Sequence, residues 1–127
     1  MIKKVEHIGI MVSDAERSIQ FYEEVIGLEL LKREKLNPQV ELIFMAFPGY
    51  PDMQIELIAG TGETYPEKGV VNHLAFTVTD IDKAWERLKQ LNVKLIDQEP
   101  RTILDGVRIG FFYGPDHERL EFFQSKE

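Results

Sequence analysis

The chain has 127 residues, with 43% hydrophobic and 29% charged side chains and a formal net charge of −7. These values describe one globular domain of ordinary size, and they exclude a disordered tail and, because no apolar run approaches about 18 residues, a membrane-spanning helix. Acidic charge without a basic run excludes nucleic-acid binding, which depends on neutralising phosphates, and the absence of cysteine excludes disulfides and thiolate chemistry and fits a cytoplasmic protein.

The first half of the chain predicts a strand, a helix and three further strands. Alternating residues over 5–12 indicate a strand. Ser13 begins a capping-box pattern ahead of an apolar period of 3.6 residues, and Gly27 is a natural end for that helix. Strand-like segments follow at about 28–36, 40–47 and 53–59.

The second half predicts the same order. A strand over 71–78 precedes a helix that begins after Thr79 and ends at Asn92. Asp105-Gly106 is a two-residue hairpin signal. Strand-like segments follow the helix at about 93–97, 101–112 (broken by that turn) and 119–124.

An internal repeat relates the two halves. VEHIGIMVSD at 5–14 and VNHLAFTVTD at 71–80 share Val, His, Val and Asp at the same four places, 66 residues apart. After a gap of one residue, LIFMAF at 42–47 falls on VRIGFF at 107–112, and IELI in the last strand of the first half falls on LEFF in that of the second. Each half is therefore predicted to be a βαβββ module.

Four polar residues occupy repeat-equivalent places on strand faces that point away from the helices, because alternate strand residues share a face. They are His7, Glu56, His73 and Glu121. Gly9 and Ala75, two places after each histidine, leave room for a cavity.

The simplest interpretation of these residues is a solvated sheet face. Burying unpaired carboxylates is costly, however, so the repeated pattern favours a divalent cation that neutralises them. Imidazole and carboxylate ligands together suit Zn, Ni, Co, Fe or Mn. Four protein ligands leave open positions on an octahedral ion, as a catalytic site requires.

The chain resembles the vicinal oxygen chelate superfamily, which groups glyoxalase I, methylmalonyl-CoA epimerase, extradiol dioxygenases and the fosfomycin and bleomycin resistance proteins. The resemblance covers nearly the whole chain and lies in VEHIGIMVSDAERSIQFYEEVIGLELL, MQIELI, VNHLAFTV and GPDHERLEFFQ. It implies an α+β fold over residues 1–127, in which βαβββ modules at 1–59 and 70–127 flank a linker at 60–69 and form a cupped mixed sheet with the helices outside.

The resemblance also implies a metal-dependent lyase of the glyoxalase I type, with His7, Glu56, His73 and Glu121 as the ligands of one divalent ion. Such an enzyme isomerises the hemithioacetal of a 2-oxoaldehyde, such as methylglyoxal, to a 2-hydroxyacyl thioester through a metal-stabilised enediolate. Glu121 is the first candidate for the catalytic base, with Glu56 as its partner. An epimerase acting on an acyl-CoA and a metal-free binding protein of the bleomycin-resistance type are the alternatives.

The expected partners are a small-molecule thiol adduct or acyl thioester and a second copy of the chain, in a homodimer with the site at its interface. Relatives that use glutathione hold its carboxylates with arginines near the end of the first helix, where this chain has Glu23 and Glu24. The thiol carrier is therefore left open. Four cations could bind an anionic substrate: Lys32, Arg33, Arg101 and Arg108. The alternative interpretation of each is a solvated surface charge.

Overall fold

The chain divides into two compact units, Met1–Tyr65 and Pro66–Glu127, in a computed structural model that describes residues 1, 3–62, 69 and 71–126. Residues 63–68 of the predicted linker lie outside the described residues, so the linker stays a prediction. No helix among the described residues is long and apolar enough to cross a membrane.

The first unit is a βαβββ module. Its elements are β1 His7–Val12, α1 Ala15–Phe21, β2 Glu29–Lys35, β3 Glu41–Ala46 and β4 Gln54–Ala59. A π-helix, Tyr22–Ile26, extends α1. The strand order is β1-β4-β3-β2, in which β1 and β4 are parallel and the other neighbouring pairs are antiparallel.

The second unit repeats this topology with the elements β5 Leu74–Thr77, α2 Ile81–Gln90, β6 Arg101–Ile103, β7 Val107–Tyr113 and β8 Arg119–Gln124. Its sheet has the order β5-β8-β7-β6, in which β5 and β8 are parallel. The predicted α+β fold class is therefore confirmed, as two four-stranded mixed sheets that each carry a helix.

Each helix begins one residue later than the sequence pattern suggests. Asp14 and Asp80, rather than Ser13 and Thr79, are the N-caps, and each Asp side chain accepts a hydrogen bond from the backbone N–H three residues on. Both residue types can cap a helix, so the local sequence does not separate them. The predicted end of the first helical segment at Gly27 is confirmed, since this residue adopts a left-handed conformation with φ of 95°.

The second unit departs from prediction after its helix. Residues 93–97 do not form a strand, and only Leu95 makes an isolated bridge, to Phe112. The outer strand of the sheet is instead β6, which forms a hairpin with β7. The predicted two-residue turn at Asp105-Gly106 is a three-residue loop that includes Leu104, and all three residues have positive φ.

The repeat holds through the sheet, but its alignment in the third strand was wrong. Phe44 lies opposite Glu56 and Phe111 lies opposite Glu121, so Phe44 corresponds to Phe111 and not to Ile109. The cause is the shorter connection between the last two strands of the second unit. Because the side-chain period of a strand is two residues, this two-residue difference leaves every side chain on its predicted face.

The core of each unit lies between its helix and the buried face of its sheet. In the second unit α2 packs against β7 and β8, and Trp85 of this helix is 1% exposed. A Cβ atom at Gly110 would lie 2.5 Å from the Trp85 ring, so only glycine fits under the indole. The four polar residues identified from the sequence lie on the opposite faces of the two sheets.

Candidate functional site

In the first unit, His7 and Glu56 lie on the neighbouring parallel strands β1 and β4. Gly9 is the register partner of Glu56, so His7 is its diagonal neighbour on the same face. Nε2 of His7 is 3.6 Å from Oε1 of Glu56, with 12% of the glutamate side chain exposed. Two residues 49 positions apart in sequence therefore meet because β1 and β4 are adjacent.

In the second unit, His73 and Glu121 form the equivalent pair. His73 precedes β5, and Ala75 is the register partner of Glu121 on β8. Nε2 of His73 is 3.1 Å from Oε1 of Glu121. Glu121 is 6% exposed and is one of two buried polar residues among those described. Because an isolated buried carboxylate is costly, the pairing with His73 offsets a real desolvation penalty.

Gly9, two places after the first histidine, lies against the carboxylate of Glu56. The cavity expected beside Gly9 and Ala75 stays a prediction. A Cβ atom at Gly9 would lie 3.2 Å from Cδ1 of Ile58 and 3.4 Å from Oε1 of Glu56. A longer side chain at this position would enter the space that the carboxylate occupies. Ala75 shows that the second unit accepts a methyl group at the equivalent place.

Asn72 orients the second histidine, and the sequence analysis missed this residue. Nδ1 of His73 is 2.9 Å from Oδ1 of Asn72. An amide oxygen only accepts hydrogen bonds, so Nδ1 is the donor. Nε2 then faces the carboxylate of Glu121, so this nitrogen and this oxygen are adjacent potential ligands. Metal-binding histidines are commonly oriented in this way by an acceptor on the other ring nitrogen.

An aromatic ring lies beside each pair and was also missed. Phe44 contacts His7 edge to face, with ring centroids 6.3 Å apart, and Phe111 contacts His73 in the same way at 5.1 Å. A cation covers each ring, Lys32 at 5.1 Å from the centroid of Phe44 and Arg119 at 5.4 Å from that of Phe111. Phenylalanines in strands are ordinary core residues, so no sequence signal distinguished these two.

The four predicted ligands thus form two pairs, each within one unit. Among residues 1, 3–62, 69 and 71–126, no group of three or more histidine or acidic side chains is placed to hold a metal ion. Each pair nevertheless presents one imidazole nitrogen and one carboxylate oxygen at adjacent positions. This donor set fits a borderline divalent cation such as Zn, Ni, Co, Fe or Mn.

Two of the candidate cations lie on the helix face of their sheets. Arg33 donates two hydrogen bonds to Glu41 and one to Glu16 of α1. The bonds that Glu41 accepts from Arg33 hold the pKa of the Glu41 carboxyl below its usual range. Arg108 donates to Asp82 of α2, which raises the pKa of this guanidinium. Both arginines are therefore structural.

Comparison with known proteins identifies relatives over the whole chain. The family described as "Glyoxalase/Bleomycin resistance protein/Dioxygenase superfamily" matches residues 4–122. An uncharacterized Bacillus subtilis protein, YwbC, is 42% identical, covering 98% of this chain and 99% of its own. A lactoylglutathione lyase of Salmonella typhimurium is 32% identical, covering 95% of this chain and 92% of its own.

Solved structures with a similar fold include an enzyme and a binding protein. A V278E mutant of glyoxalase I from Zea mays superposes with a TM-score of 0.82 at 26% identity, covering 96% of this chain and 44% of that one. TnmS3, an antibiotic binding protein from Streptomyces sp. CB03234, superposes with a TM-score of 0.77 at 25% identity, covering 97% and 96%. Relatives of this chain thus include both enzymes and a binding protein.

Proposed function

The chain belongs to the glyoxalase/bleomycin resistance protein/dioxygenase superfamily, and from this premise we propose that it is a metal-dependent lyase of the glyoxalase I type. It would convert the hemithioacetal of a 2-oxoaldehyde, such as methylglyoxal, to a 2-hydroxyacyl thioester. The lactoylglutathione lyase relatives at about one-third identity support this reaction class.

The observation that carries the proposal is the repeated His–Glu pair. Nε2 and Oε1 are 3.6 Å apart in the first unit and 3.1 Å apart in the second, on equivalent parallel strands. A protein that used this sheet face only for packing or solvation would not need the same two ligand types in both modules. We propose that both pairs bind one divalent ion, with one pair supplied by each module, of one chain or of two chains in a homodimer.

The ligands of this ion would be His7, Glu56, His73 and Glu121, as the resemblance implies. When bound, such an ion acts as a Lewis acid that polarises two neighbouring substrate oxygens and makes the adjacent C–H bond more acidic. Asn72 would keep Nδ1 of His73 protonated and thereby leave Nε2 available as a ligand.

We assign the proton transfer to the carboxylates. Oε1 of Glu121 would accept the proton from the substrate carbon that bears the sulfur and the hydroxyl, and the proton would then be delivered to the neighbouring carbonyl carbon. The hydroxyl proton moves to the second oxygen, so the thioester is formed with no net gain or loss of atoms. Glu121 is preferred because its burial keeps bulk water away from the transferred proton. Glu56 is its partner.

Two alternatives remain open to test. An epimerase acting on an acyl-CoA would use the same residues but return the proton to the carbon that lost it, on the opposite face. A metal-free binding protein is a different class, and the similarity to TnmS3 favours it. The presence of both His–Glu pairs favours the metal-dependent enzymes, because a binding protein needs neither pair.

The deciding experiment combines metal analysis with a substrate panel. The purified chain is reconstituted separately with Ni, Zn, Co, Mn and Fe and offered methylglyoxal with several thiols, with methylmalonyl-CoA in parallel. We expect one metal per site and isomerisation of at least one hemithioacetal. Turnover of methylmalonyl-CoA alone would identify the chain as an epimerase. Failure to take up any metal would contradict both enzyme functions and favour the metal-free binding protein. The cytoplasmic location and the homodimer stay predictions.

A further inference from the structure

The two faces of strand β2 carry cations with different surroundings. Arg33 pairs in register with the buried Ile43 and reaches α1, so it lies on the helix face of the sheet. Lys32 pairs in register with Phe44. Since successive strand residues alternate between faces, Lys32 lies on the face that carries Glu56.

A carboxylate already contacts each of the three candidate arginines. Arg33 is bound to Glu41 and Glu16, and Arg108 to Asp82 of α2. Nε of Arg101 is 3.6 Å from Oδ1 of Asp97 in the second unit. A substrate anion would have to displace each of these partners.

Lys32 differs because an aromatic ring positions its amine, and its carboxylate contact is with an exposed residue of the same strand. Nζ is 3.4 Å from Glu34 on the same strand, and both side chains are more than half exposed, at 59% and 58%. Such a pair contributes little in water. The amine also lies 5.1 Å from the centroid of Phe44, whose edge contacts His7. A cation–aromatic contact of this kind orients the ammonium group and still leaves it open to an anion.

We propose that Lys32 is a specificity-determining residue that binds an anionic group, such as a carboxylate, on the thiol or acyl carrier of the substrate. Lys32 lies over the ring of Phe44, whose edge contacts His7, so it is a near neighbour of the His7–Glu56 pair on the same sheet face. This inference rests on the proposed function, because it concerns the substrate class of the same site.

A binding measurement tests the inference without requiring turnover. The probes are S-benzyl-3-mercaptopropionate and its primary amide, which have nearly the same shape and differ in charge. Calorimetric titration compares the wild-type chain with Lys32→Met, with Lys32→Arg and with Lys35→Met. Lys35 is an exposed lysine of the same strand that pairs in register with Glu41 on the helix face, so it is the matched control.

We expect the wild-type chain to bind the carboxylate about fivefold more tightly than the amide, the size of an exposed charge pair. Lys32→Met should abolish this preference, whereas Lys32→Arg and Lys35→Met should keep it. Equal binding of the two probes by the wild type, binding of neither, or a preference that survives in Lys32→Met would overturn the inference. Failure of the chain to isomerise any hemithioacetal would instead count against the proposed reaction, while the probe titration still decides the role of Lys32.

Discussion

Glu121 holds its carboxylate 3.1 Å from Nε2 of His73, although only 6% of the residue is exposed to solvent. A buried acid beside an imidazole is costly to maintain unless positive charge is shared between them. The same two residue types meet in the first unit, where 12% of the Glu56 side chain is exposed against 8% of the Glu121 side chain. The proposed proton transfer is assigned to the more buried of these two carboxylates.

Replacing Glu121 by Gln should lower catalytic activity with little effect on the stability of the fold. Gln has nearly the same shape but cannot take up a proton, so we expect kcat/KM to fall by about 100-fold or more, the usual size of a lost general base. The melting temperature should change little. Steady-state kinetics and thermal unfolding provide the two measurements.

Glu86→Gln is the control for this change, because Glu86 is an exposed residue of α2. Glu86→Gln should leave kcat/KM and the melting temperature unchanged. Activity of Glu121→Gln within twofold of the wild type would show that another group takes the proton.

Substitution of Gly9 should depend on the size of the new side chain. Gly9→Ala places a methyl group 3.2 Å from Cδ1 of Ile58 and 3.4 Å from Oε1 of Glu56, so the end of the Ile58 side chain must shift by a few tenths of an ångström. The equivalent residue of the second unit is itself an alanine, Ala75, so we expect this change to be tolerated. Gly9→Val adds atoms in the space of the carboxylate, and we expect it to lower stability by about 1–3 kcal/mol and to reduce bound metal. Denaturant unfolding and metal analysis of both variants measure these effects. The same unfolding free energy and the same amount of bound metal in Gly9→Ala and Gly9→Val would contradict the prediction.

Asn72 should control metal affinity through His73. Asn72→Ala removes the acceptor for Nδ1, and loss of such a contact typically lowers metal affinity by about 10- to 100-fold. Competition with a chromophoric zinc chelator measures the change. Asn72→Asp keeps an acceptor oxygen and should retain most of the affinity, so a loss of the same size in both variants would argue for a purely structural role.

The Arg33–Glu41 pair should make stability depend on pH in the acidic range. The hydrogen bonds from Arg33 lower the pKa of Glu41 in the folded chain below its usual value of 4.5. The stabilisation is therefore fully present above about pH 4.5 and is lost as the pH falls through the lower folded pKa.

Comparison of the wild type with Glu41→Gln measures this effect. We expect a difference in unfolding free energy of at most about 1 kcal/mol at pH 7 that shrinks toward pH 3. Glu23→Gln, at an exposed position of the π-helix, is the control and should show no such trend. A difference between wild type and Glu41→Gln that is constant from pH 7 to pH 3 would rule out the linkage.

Much of the fold followed from local patterns. Strand alternation and the repeated segments around His7 and His73 predicted both modules and the face on which the polar residues lie, because a strand has a period of two residues. The errors were also local in origin. Neighbouring Ser13 and Asp14 are both good caps, and residues 93–97 have strand composition but meet only an isolated bridge.

The two βαβββ modules, the residue types at the four candidate ligand positions and the absence of thiolate ligands can be inferred from the amino-acid sequence, because they follow from side-chain chemistry and short-range periodicity. Which of these residues contact one another depends on the tertiary structure. Adjacent parallel strands bring Glu56 to His7 and Glu121 to His73, and the register across the sheets places a phenylalanine beside each pair. The tertiary structure also distinguishes Lys32 from Arg33, which are neighbours on one strand but lie on opposite sheet faces. Arg33 reaches Glu16 of the helix, whereas Lys32 lies over the ring of Phe44.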